Sequence, residues 1–591
     1  MKFMKLGSKP DNFQSDGNNI RYVATELASD VVVRVGEAKF YLHKFPLLSK
    51  SSRLQKLVSS ADESNGGDEI DVDGIPGGAA AFELCAKFCY GMTVTLNAHN
   101  VVAARCAAEY LGMHEAVEKG NLAYKIDVFL ASTVLRSWRD SIVALRTTRG
   151  FSPHADELNL AGRCADAVAA KASVHPSRVD WPYSYSRGRR REDGSTTPDD
   201  WFAEDLCELE IDLFERVVAA MKKAGRISGE AIGKALKAYA HAAIRRGLDD
   251  GPSLRAVLEA IVSLLPPEKG CVSCGFLFKL LRAAIFAGSG ESVRSRLVKR
   301  IGLQLEEASV DDLLIRASEG DETVYDVRLV RKIVKEFMAR DHRSSEIEEA
   351  EENNGMTIVT EASKLMVAKL VDGYLAEVSK DPNLSISTFI AVAETVSTVP
   401  RPAHDALYTA IDTYLKEHPG ISKSDRKKIC RLMECKKLSA EASLHAVQNE
   451  RLPLRVVVQV IFFEQVRAAA SSGSTTPELP KAIKDLNYGS CGSSRSATNA
   501  DEDWDAVASA EELRALRGEL AALRLSNNGV ADKATAGKAK GLVLSKRILS
   551  KIWSSSKGGQ QQNENTGSDS SGSVGEDAKT TPARRGRHSV S

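Results

Sequence analysis

The sequence predicts an α+β domain at the N-terminus followed by a large all-α domain. Between residues 31 and 44, two short runs rich in β-branched and aromatic residues flank the dipeptide Gly36-Glu37, a pattern typical of paired strands. From about residue 126 to residue 468, apolar residues recur at spacings of three and four, the period of helices with one buried face. The length of 591 residues allows roughly three or four compact units with linkers.

The charge balance gives no global attraction to nucleic acid or to a membrane. The chain has 80 Lys and Arg against 79 Asp and Glu, so a charged partner has to be met by a local cluster. The first residues lack the apolar run of a signal peptide, and no stretch approaches the roughly 18 to 20 apolar residues of a membrane span. We therefore expect an intracellular protein whose ten cysteines are reduced thiols. We expect no nucleic-acid partner, and membrane contact that is peripheral.

The first predicted domain covers residues 20–126. Its alternating apolar runs indicate strands, and its later segments have the three-and-four spacing of helices. The predicted elements are strands at 31–35 and 39–44, a helix at 46–58, a strand at 69–72 and helices at 79–90 and 97–111. A helical extension is predicted at 127–173.

The rest of the chain divides by composition. A polar linker at 174–199 precedes an all-α domain at 200–468, whose helical pattern begins at Trp201. Residues 469–504 are rich in Ser, Gly, Thr and Asn, which is typical of a linker. A short coiled coil is predicted at 505–526 because leucines recur at spacings of three, four and three. Residues 558–591 have the Ser-, Gly- and Gln-rich composition of a disordered tail.

The stretch 437–467 is the most particular in its order of residues. Ser439 is a good helix N-cap and Asn449 a good helix end, so we predict a short helix between them. A second helix is predicted with Pro453 near its first turn. Its runs Val-Val-Val and Ile-Phe-Phe favour a strand by propensity. The proline and the length of the apolar block favour a buried helix instead.

The sequence contains no recognisable catalytic or cofactor-binding group. Cys271 and Cys274 form a C-x-x-C, but no further ligands at zinc spacing lie nearby, and we interpret them as two free thiols in a loop. The histidines form no pair at i, i+4, and G-x-S-x-G and phosphate-loop motifs are absent from the sequence. We predict no enzyme activity, no metal and no cofactor. The basic run at 187–191 is either a nuclear-import signal or, as we favour, a solvated loop.

A basic amphipathic helix is predicted at 541–557. Residues 533–557 carry seven positive charges and no acid. On a helix, Trp553 falls on an apolar stripe and the cations lie beside it, which is typical of a helix at a membrane surface. The alternative is a helix that docks on the protein's own body. The residues predicted to meet anionic phospholipid are Lys538, Lys540, Lys546, Arg547, Lys551 and Trp553.

The tail ends in a phosphorylation motif. Arg584, Arg585 and Arg587 precede Ser589 at the positions that a basophilic kinase reads. A phosphate on Ser589 would add roughly −1.5 to −2 charges and three acceptor oxygens. The motif is similar to those bound by the arginine clusters of 14-3-3 proteins.

Several sequence blocks resemble a known family. The blocks S-D-V-V-V-R-V-G, F-x-x-H-K-x-x-L and A-A-E-Y-L-G-M of the first domain resemble a BTB/POZ domain. The stretch 437–467 resembles the end of the plant-specific domain of the non-phototropic-hypocotyl family of BTB/POZ signalling proteins. The N-terminal M-K-F-M-K-L-G-S-K-P-D and the block L-V-L-S-K-R-I-L-S-K-I-W are most similar to its "naked pins" branch. The tail is also similar to the basic R-x-S ends of that family.

The resemblance implies a non-enzymatic scaffold or adaptor at the cytoplasmic face of the plasma membrane and in the cytoplasm, in auxin-dependent organ formation and polarity. Its implied partners are AGC-type kinases, 14-3-3 proteins, anionic phospholipids, a second BTB domain and cullin-3 of a ubiquitin ligase. The resemblance also implies a buried charged pair, Asp30 and Lys44. The cullin-binding hydrophobic-x-Glu motif is represented only by Ala61-Asp62-Glu63, and residues 241–248 lack a family tryptophan. A pure membrane scaffold without a ligase role is the alternative.

Overall fold

The computed structural model describes residues 2–17, 19–63, 69–184, 197–245, 251–318, 320–347 and 360–471. The chain divides into two compact units, Met1–Lys437 and Leu438–Ser591. The predicted coiled coil at 505–526, the basic helix at 541–557 and the tail at 558–591 lie outside the described residues. So do most of the linker predicted at 469–504 and the basic run at 187–191.

The N-terminal domain is built on a five-stranded sheet with the strand order β2-β3-β5-β4-β6. In β4, Val31, Val33 and Val35 are buried, whereas the side chains between them are not, because successive side chains of a strand point to opposite faces. β4 pairs antiparallel with β5, with Val33 opposite Phe40. The five strands are β2 (Phe13–Ser15), β3 (Ile20–Val23), β4 (Val31–Val35), β5 (Ala38–Leu42) and β6 (Glu69–Asp71).

A second, two-stranded sheet joins the two ends of this domain. β1 (Phe3–Leu6) pairs antiparallel with β7 (Val94–Asn97), with Phe3 opposite Asn97. At the end of β1 the backbone of Gly7 has a φ of 83°, and a Cβ there would lie 2.0 Å from the Met92 carbonyl oxygen. Glycine is therefore required at this approach. The start of the chain is fixed further because the Lys2 amide donates to the Asp140 carboxylate at 3.2 Å.

The strands predicted at 31–35 and 69–72 are confirmed, whereas the strand predicted at 39–44 ends at Leu42 because Lys44 begins a helix. Two of the predicted helices of this domain also need correction. The helix predicted at 46–58 is two helices, α1 (Lys44–Leu48) and α2 (Ser52–Glu63). They separate at Ser51, whose buried hydroxyl donates to the Leu111 carbonyl and accepts from the Leu54 amide, which starts the second helix. The helix predicted at 97–111 begins only at Val101, because β7 runs to Asn97 and residues 98–100 form a turn.

Apart from an isolated β-bridge between Arg316 and Tyr325, everything described after β7 is helix and connecting loop. The helical pattern that begins at Trp201 forms two separate helices in its first part. The helices are α3 (Gly78–Cys89), α4 (Val101–Tyr110), α5 (Leu122–Ser132), α6 (Trp138–Thr148), α7 (His154–Glu157), α8 (Leu160–Ala172), α9 (Ala203–Leu206), α10 (Ile211–Ala224), α11 (Gly229–Arg245), α12 (Gly251–Leu264), α13 (Cys274–Phe286), α14 (Glu291–Gly302), α15 (Val310–Leu313), α16 (Val327–Ile347), α17 (Glu361–Val378), α18 (Ile386–Ala393), α19 (Asp405–Glu417) and α20 (Lys423–Cys430).

The second unit begins with the helix pair that the sequence predicts. α21 (Ala440–Gln448) starts where the Ser439 hydroxyl accepts the Ala442 amide at 3.1 Å, and it ends at Asn449. α22 (Leu454–Ser471) follows Pro453, whose carbonyl accepts the first amide hydrogen bonds. The valine-rich run is therefore helical, and this prediction is confirmed. Within the described ranges, no helix has the length and apolar character needed to cross a membrane.

Candidate functional site

The predicted pair Asp30 and Lys44 lies at the start of α1. The Asp30 carboxylate accepts a hydrogen bond from the backbone amide of Lys44 at 2.5 Å, and Lys44 is the first residue of the helix. A carboxylate at this position satisfies a helix amide that has no partner within the helix. Asp30 is exposed and Lys44 half-buried, so the burial that the resemblance implies is wrong for this structure. The carboxylate of Asp30 is held at the helix end by the Lys44 amide.

His43 fixes the same corner of the domain. Its backbone amide donates to the Tyr90 hydroxyl at 2.7 Å, and its ring Nδ1 lies 2.9 Å from the same hydroxyl. Its Nε2 lies 3.2 Å from the carbonyl oxygen of Leu27. Burial raises the pKa of Tyr90 to about 12, so the phenol keeps its proton. His43 therefore ties the start of α1 to the end of α3 and to the loop before β4.

Two large apolar side chains are exposed at this corner. Phe45 is 84% exposed, and Leu27, whose carbonyl contacts His43, is 75% exposed. Phe3 of β1 is also largely exposed. A single exposed apolar side chain is ordinary, but two held beside one rigid cluster are typical of a protein-interaction surface. We call Leu27, His43 and Phe45 the α1 corner.

An aromatic cluster connects the helical extension to the following domain. The rings of Trp138 and Trp201 lie 4.7 Å apart, and Trp181 and Tyr183 pack edge-on against Trp201. The Trp138 Nε1 donates to one oxygen of Asp205 at 2.7 Å, and the Ser184 amide donates to the other at 3.0 Å. Part of the predicted linker at 174–199 is therefore packed. The sequence signal was the grouping of three of the five tryptophans between residues 138 and 201.

A buried charged group lies deeper in the helical domain and was not predicted. Asp372 of α17 and Arg401 have side chains only 4% and 5% exposed, and Oδ1 lies 2.5 Å from Nη1. Burial raises the pKa of Asp372, although Arg401 opposes that shift. Burial and the nearby Arg401 and Lys437 lower the pKa of His404 to about 4. The neutral His404 ring accepts the Glu434 amide at 3.0 Å, so this group is structural.

The C-x-x-C is only partly as predicted. Cys271 is a half-buried loop residue whose Sγ lies 3.7 Å from a Glu268 oxygen, but Cys274 is the first residue of α13 and is buried. Burial raises the pKa of Cys274 to about 12, which keeps the thiol neutral and unreactive. A Cβ on Gly233 of α11 would lie 2.0 Å from the Cys271 carbonyl oxygen, so the helix packs directly on this loop. No cluster of metal-ligating side chains occurs in the part of the chain that the structure describes.

The remaining predicted site residues are not brought together by the described structure. The membrane residues Lys538, Lys540, Lys546, Arg547, Lys551 and Trp553 lie outside the described residues, as do Arg584, Arg585, Arg587 and Ser589. Ala61-Asp62-Glu63, the nearest match to a cullin-binding motif, forms the last turn of α2. The buried residues Cys430 and Cys435 lie at the end of α20 and in a short 3-10 helix, respectively, as the helical pattern suggests.

Comparison with known proteins identifies both folded regions. A family model described as the BTB/POZ domain matches residues 22–123, and one described as the NPH3 family matches residues 200–443. Phototropic-responsive NPH3 family protein NPY2 of Arabidopsis thaliana is 55% identical over 583 residues, covering 93% of this chain and 92% of its own. The corresponding protein NPY1 of the same plant is 48% identical over 489 residues, covering 79% of this chain and 82% of its own. The resemblance inferred from the sequence blocks is confirmed.

Proposed function

The chain belongs to the NPH3 family of BTB/POZ proteins, and from this premise we propose that it is a non-enzymatic scaffold and adaptor at the plasma membrane in auxin-dependent organ formation and polarity. Its two domains are those of an adaptor-type signalling protein. The α1 corner is the observation that carries the proposal, because it offers a rigid apolar surface on a BTB domain that is continuous with the helical domain. A protein bound at the α1 corner is therefore held close to any protein that the helical domain binds.

The proposed partner of the α1 corner is a second BTB domain. Phe45 is exposed enough that its burial in an interface would contribute about 1.5 to 3 kcal/mol. Phe45→Ser in the full chain should therefore shift size-exclusion chromatography with light scattering towards a smaller species. Ile244→Ser changes a half-exposed apolar residue of the helical domain and is the matched control. A wild-type chain that is monomeric at micromolar concentration, or a Phe45→Ser chain that assembles as the wild type does, would reject this partner.

Membrane attachment is proposed to use residues 541–557. Each basic residue near an anionic leaflet contributes about 1 kcal/mol, so the seven cations of 533–557 support reversible binding. Replacing Lys546, Arg547 and Lys551 by alanine should weaken binding to anionic vesicles and reduce its salt dependence. Trp553→Ala should weaken binding while leaving the salt dependence nearly intact, because it removes only apolar insertion. If the triple replacement leaves recruitment unchanged, the helix docks on the protein instead.

Phosphorylation of Ser589 by an AGC-type kinase is proposed to create a 14-3-3 site and to release the protein from the membrane. The local change is the added negative charge beside Arg584, Arg585 and Arg587. Ser589→Ala should abolish 14-3-3 binding and keep the protein at the cell periphery under conditions that release the wild type. Undiminished 14-3-3 binding by that variant would place the site elsewhere.

A role as a cullin-3 substrate adaptor is the second proposal, supported by the BTB domain alone. The hydrophobic-x-Glu position at the end of α2 reads Ala61-Asp62-Glu63, which offers a methyl group where a larger apolar side chain is usual. If the adaptor role holds, cullin-3 co-purifies with the full chain, and Ala61→Leu strengthens that binding. If cullin-3 fails to bind either chain, the pure scaffold is the function that remains.

A further inference from the structure

One face of α16 carries a stripe of positive charge. Arg328, Arg331, Lys332 and Lys335 recur at spacings of three and four, which places them on the same side of the helix. The opposite side packs into the core through Val330, Ile333, Val334 and Phe337, all buried. Together with Glu336 and Ala339, the four cations line an open groove of about 340 Å³. The lining therefore carries four positive charges and one negative charge.

The cations of this groove are poorly neutralised. Lys332 pairs with Glu291 of α14 at 2.9 Å, but that carboxylate also faces Arg294 at 3.7 Å. Arg328 and Lys335 are exposed and, within the described ranges, have no acidic partner within 4.0 Å. The Arg331 side chain is half-buried, and its Nε is shielded from solvent without a hydrogen-bond partner among the described groups.

Elsewhere on the helical surface, exposed lysines occur both with and without an acidic partner. Lys380 and Lys428 pair with an acid three residues earlier, whereas Lys237 and Lys279 are exposed and form no ion pair among the described residues. In the groove, by contrast, like charges stand four residues apart and repel each other. A half-buried, unpaired guanidinium adds a desolvation cost. An anion in the groove would remove both penalties.

The groove is short, which restricts the kind of anion. Asp326 precedes it and is already bonded to the Leu329 amide. Beyond it, Arg340 is turned away, because its guanidinium donates to the carbonyls of Gly302 and Leu303. The unpaired cations from Arg328 to Lys335 span about 10 Å of helix. A compact anion with several charges fits this length, whereas an acidic peptide or a nucleic-acid backbone would extend past it.

We propose that the α16 groove binds a compact polyphosphate group, such as a multiply phosphorylated inositol ring, either free or as a lipid headgroup. Arginine offers a planar fork of donors that matches two phosphate oxygens, and lysine offers a point charge. Arg328 and Lys335 hold the two ends of the anion, and Arg331 lies between them. This site is separate from the basic helix at 541–557 and would give the folded helical domain its own anion specificity.

The test uses the full chain with Lys546, Arg547 and Lys551 replaced by alanine, so that the basic helix contributes little. Inositol hexakisphosphate is titrated by calorimetry against this chain and against one that also carries Arg328→Gln, Arg331→Gln and Lys335→Gln. We expect the groove changes to weaken binding by about tenfold or more, because charge-assisted hydrogen bonds are lost. The matched control carries Lys364→Gln, Lys380→Gln and Lys428→Gln, which remove the same charge from paired positions and should leave binding unchanged.

Two further arms identify the source of the phosphates and guard against misfolding. Binding to phosphatidylcholine vesicles that contain phosphatidylinositol bisphosphate supports a lipid headgroup, and binding only to the soluble probe supports a free inositol phosphate. The single change Lys335→Glu, at an exposed position, keeps the test valid if the triple change unfolds the chain. Equal affinity in groove and control variants overturns the proposal. So does binding of inorganic phosphate, or of an acidic peptide, as tightly as the inositol polyphosphate.

Discussion

Replacement of Arg401 by methionine is expected to lower the free energy of unfolding by about 3 to 5 kcal/mol. Asp372 and Arg401 are almost fully buried, and among the described residues each forms an ion pair only with the other, at 2.5 Å. Methionine fills much of the volume but removes the positive charge. The Asp372 carboxylate is then buried without a counter-ion, and the cost of desolvating it is no longer offset.

The destabilisation caused by Arg401→Met should be larger at high pH than at low pH. Burial already raises the pKa of Asp372, and only Arg401 opposes that rise. Without Arg401 the pKa rises further, so the folded state holds the proton more tightly than the unfolded state does. The destabilisation is therefore largest above the folded pKa and shrinks as the pH falls through it, because a neutral carboxyl tolerates burial.

Urea unfolding followed by circular dichroism measures these effects. The double variant Arg401→Met with Asp372→Leu should lose less free energy of unfolding than the two single variants lose in sum, because it leaves no buried charge unpaired. Arg216→Met is the matched control, since Arg216 contacts Asp156 at 3.1 Å but the two side chains are 50% and 43% exposed. That control should lose no more than about 1 kcal/mol. If Arg401→Met is no more harmful than Arg216→Met, the argument from burial is refuted.

Three further predictions concern the folded helical region. The free energy of unfolding should fall as the pH drops from about 6.5 towards 4. In this range the unfolded chain binds a proton at His404, whereas the folded chain does not, because the pKa of His404 is lowered to about 4 in the folded state. His404→Gln should flatten that part of a plot of the urea unfolding midpoint against pH. Gly233→Ala should destabilise by about 1 to 3 kcal/mol through its backbone clash, whereas Gly420→Ala, with open space around it, should be neutral in thermal unfolding. Trp138→Phe should lower the free energy of unfolding by about 1.5 to 3 kcal/mol, because one oxygen of Asp205 then lacks its hydrogen-bond donor. Trp181→Phe should lower it by less in the same assay, because the Nε1 of Trp181 has no hydrogen-bond partner among the described groups.

The elements that could be predicted from the sequence are those whose causes are local. The strand Val31–Val35 follows from alternation, and the helix after Ser439 follows from a capping side chain three residues from the amide it accepts. The break at Ser51 was missed because its hydroxyl bonds to Leu111, sixty residues away. The contact of Asp372 with Arg401 was missed for the same reason, since neither residue type indicates its partner.

The candidate sites also differ in how far the sequence alone could predict them. The α1 corner could be located from the BTB-like motif around His43, but the exposure of Phe45 could not be foreseen, because an aromatic residue next to a helix start is usually buried. The basic stripe of α16 could be read as an ordinary solvated face. What distinguishes it is that four cations line one open groove, a property of the packed helices in three dimensions.

The pairing of β1 with β7 decides where this protein can be cut. A fragment that starts at residue 20 discards Phe3–Leu6, so the backbone groups of Val94–Asn97 lose their partner strand. It also discards β2, so the five-stranded sheet loses its edge strand and β3 is uncovered. A bare strand edge readily accepts another chain. Two such fragments would join through the exposed edge even if the intact proteins never meet there. Self-association measured on that fragment would be a result of the truncation, so residues 1–19, which include β1 and β2, have to be retained in any experiment on this domain.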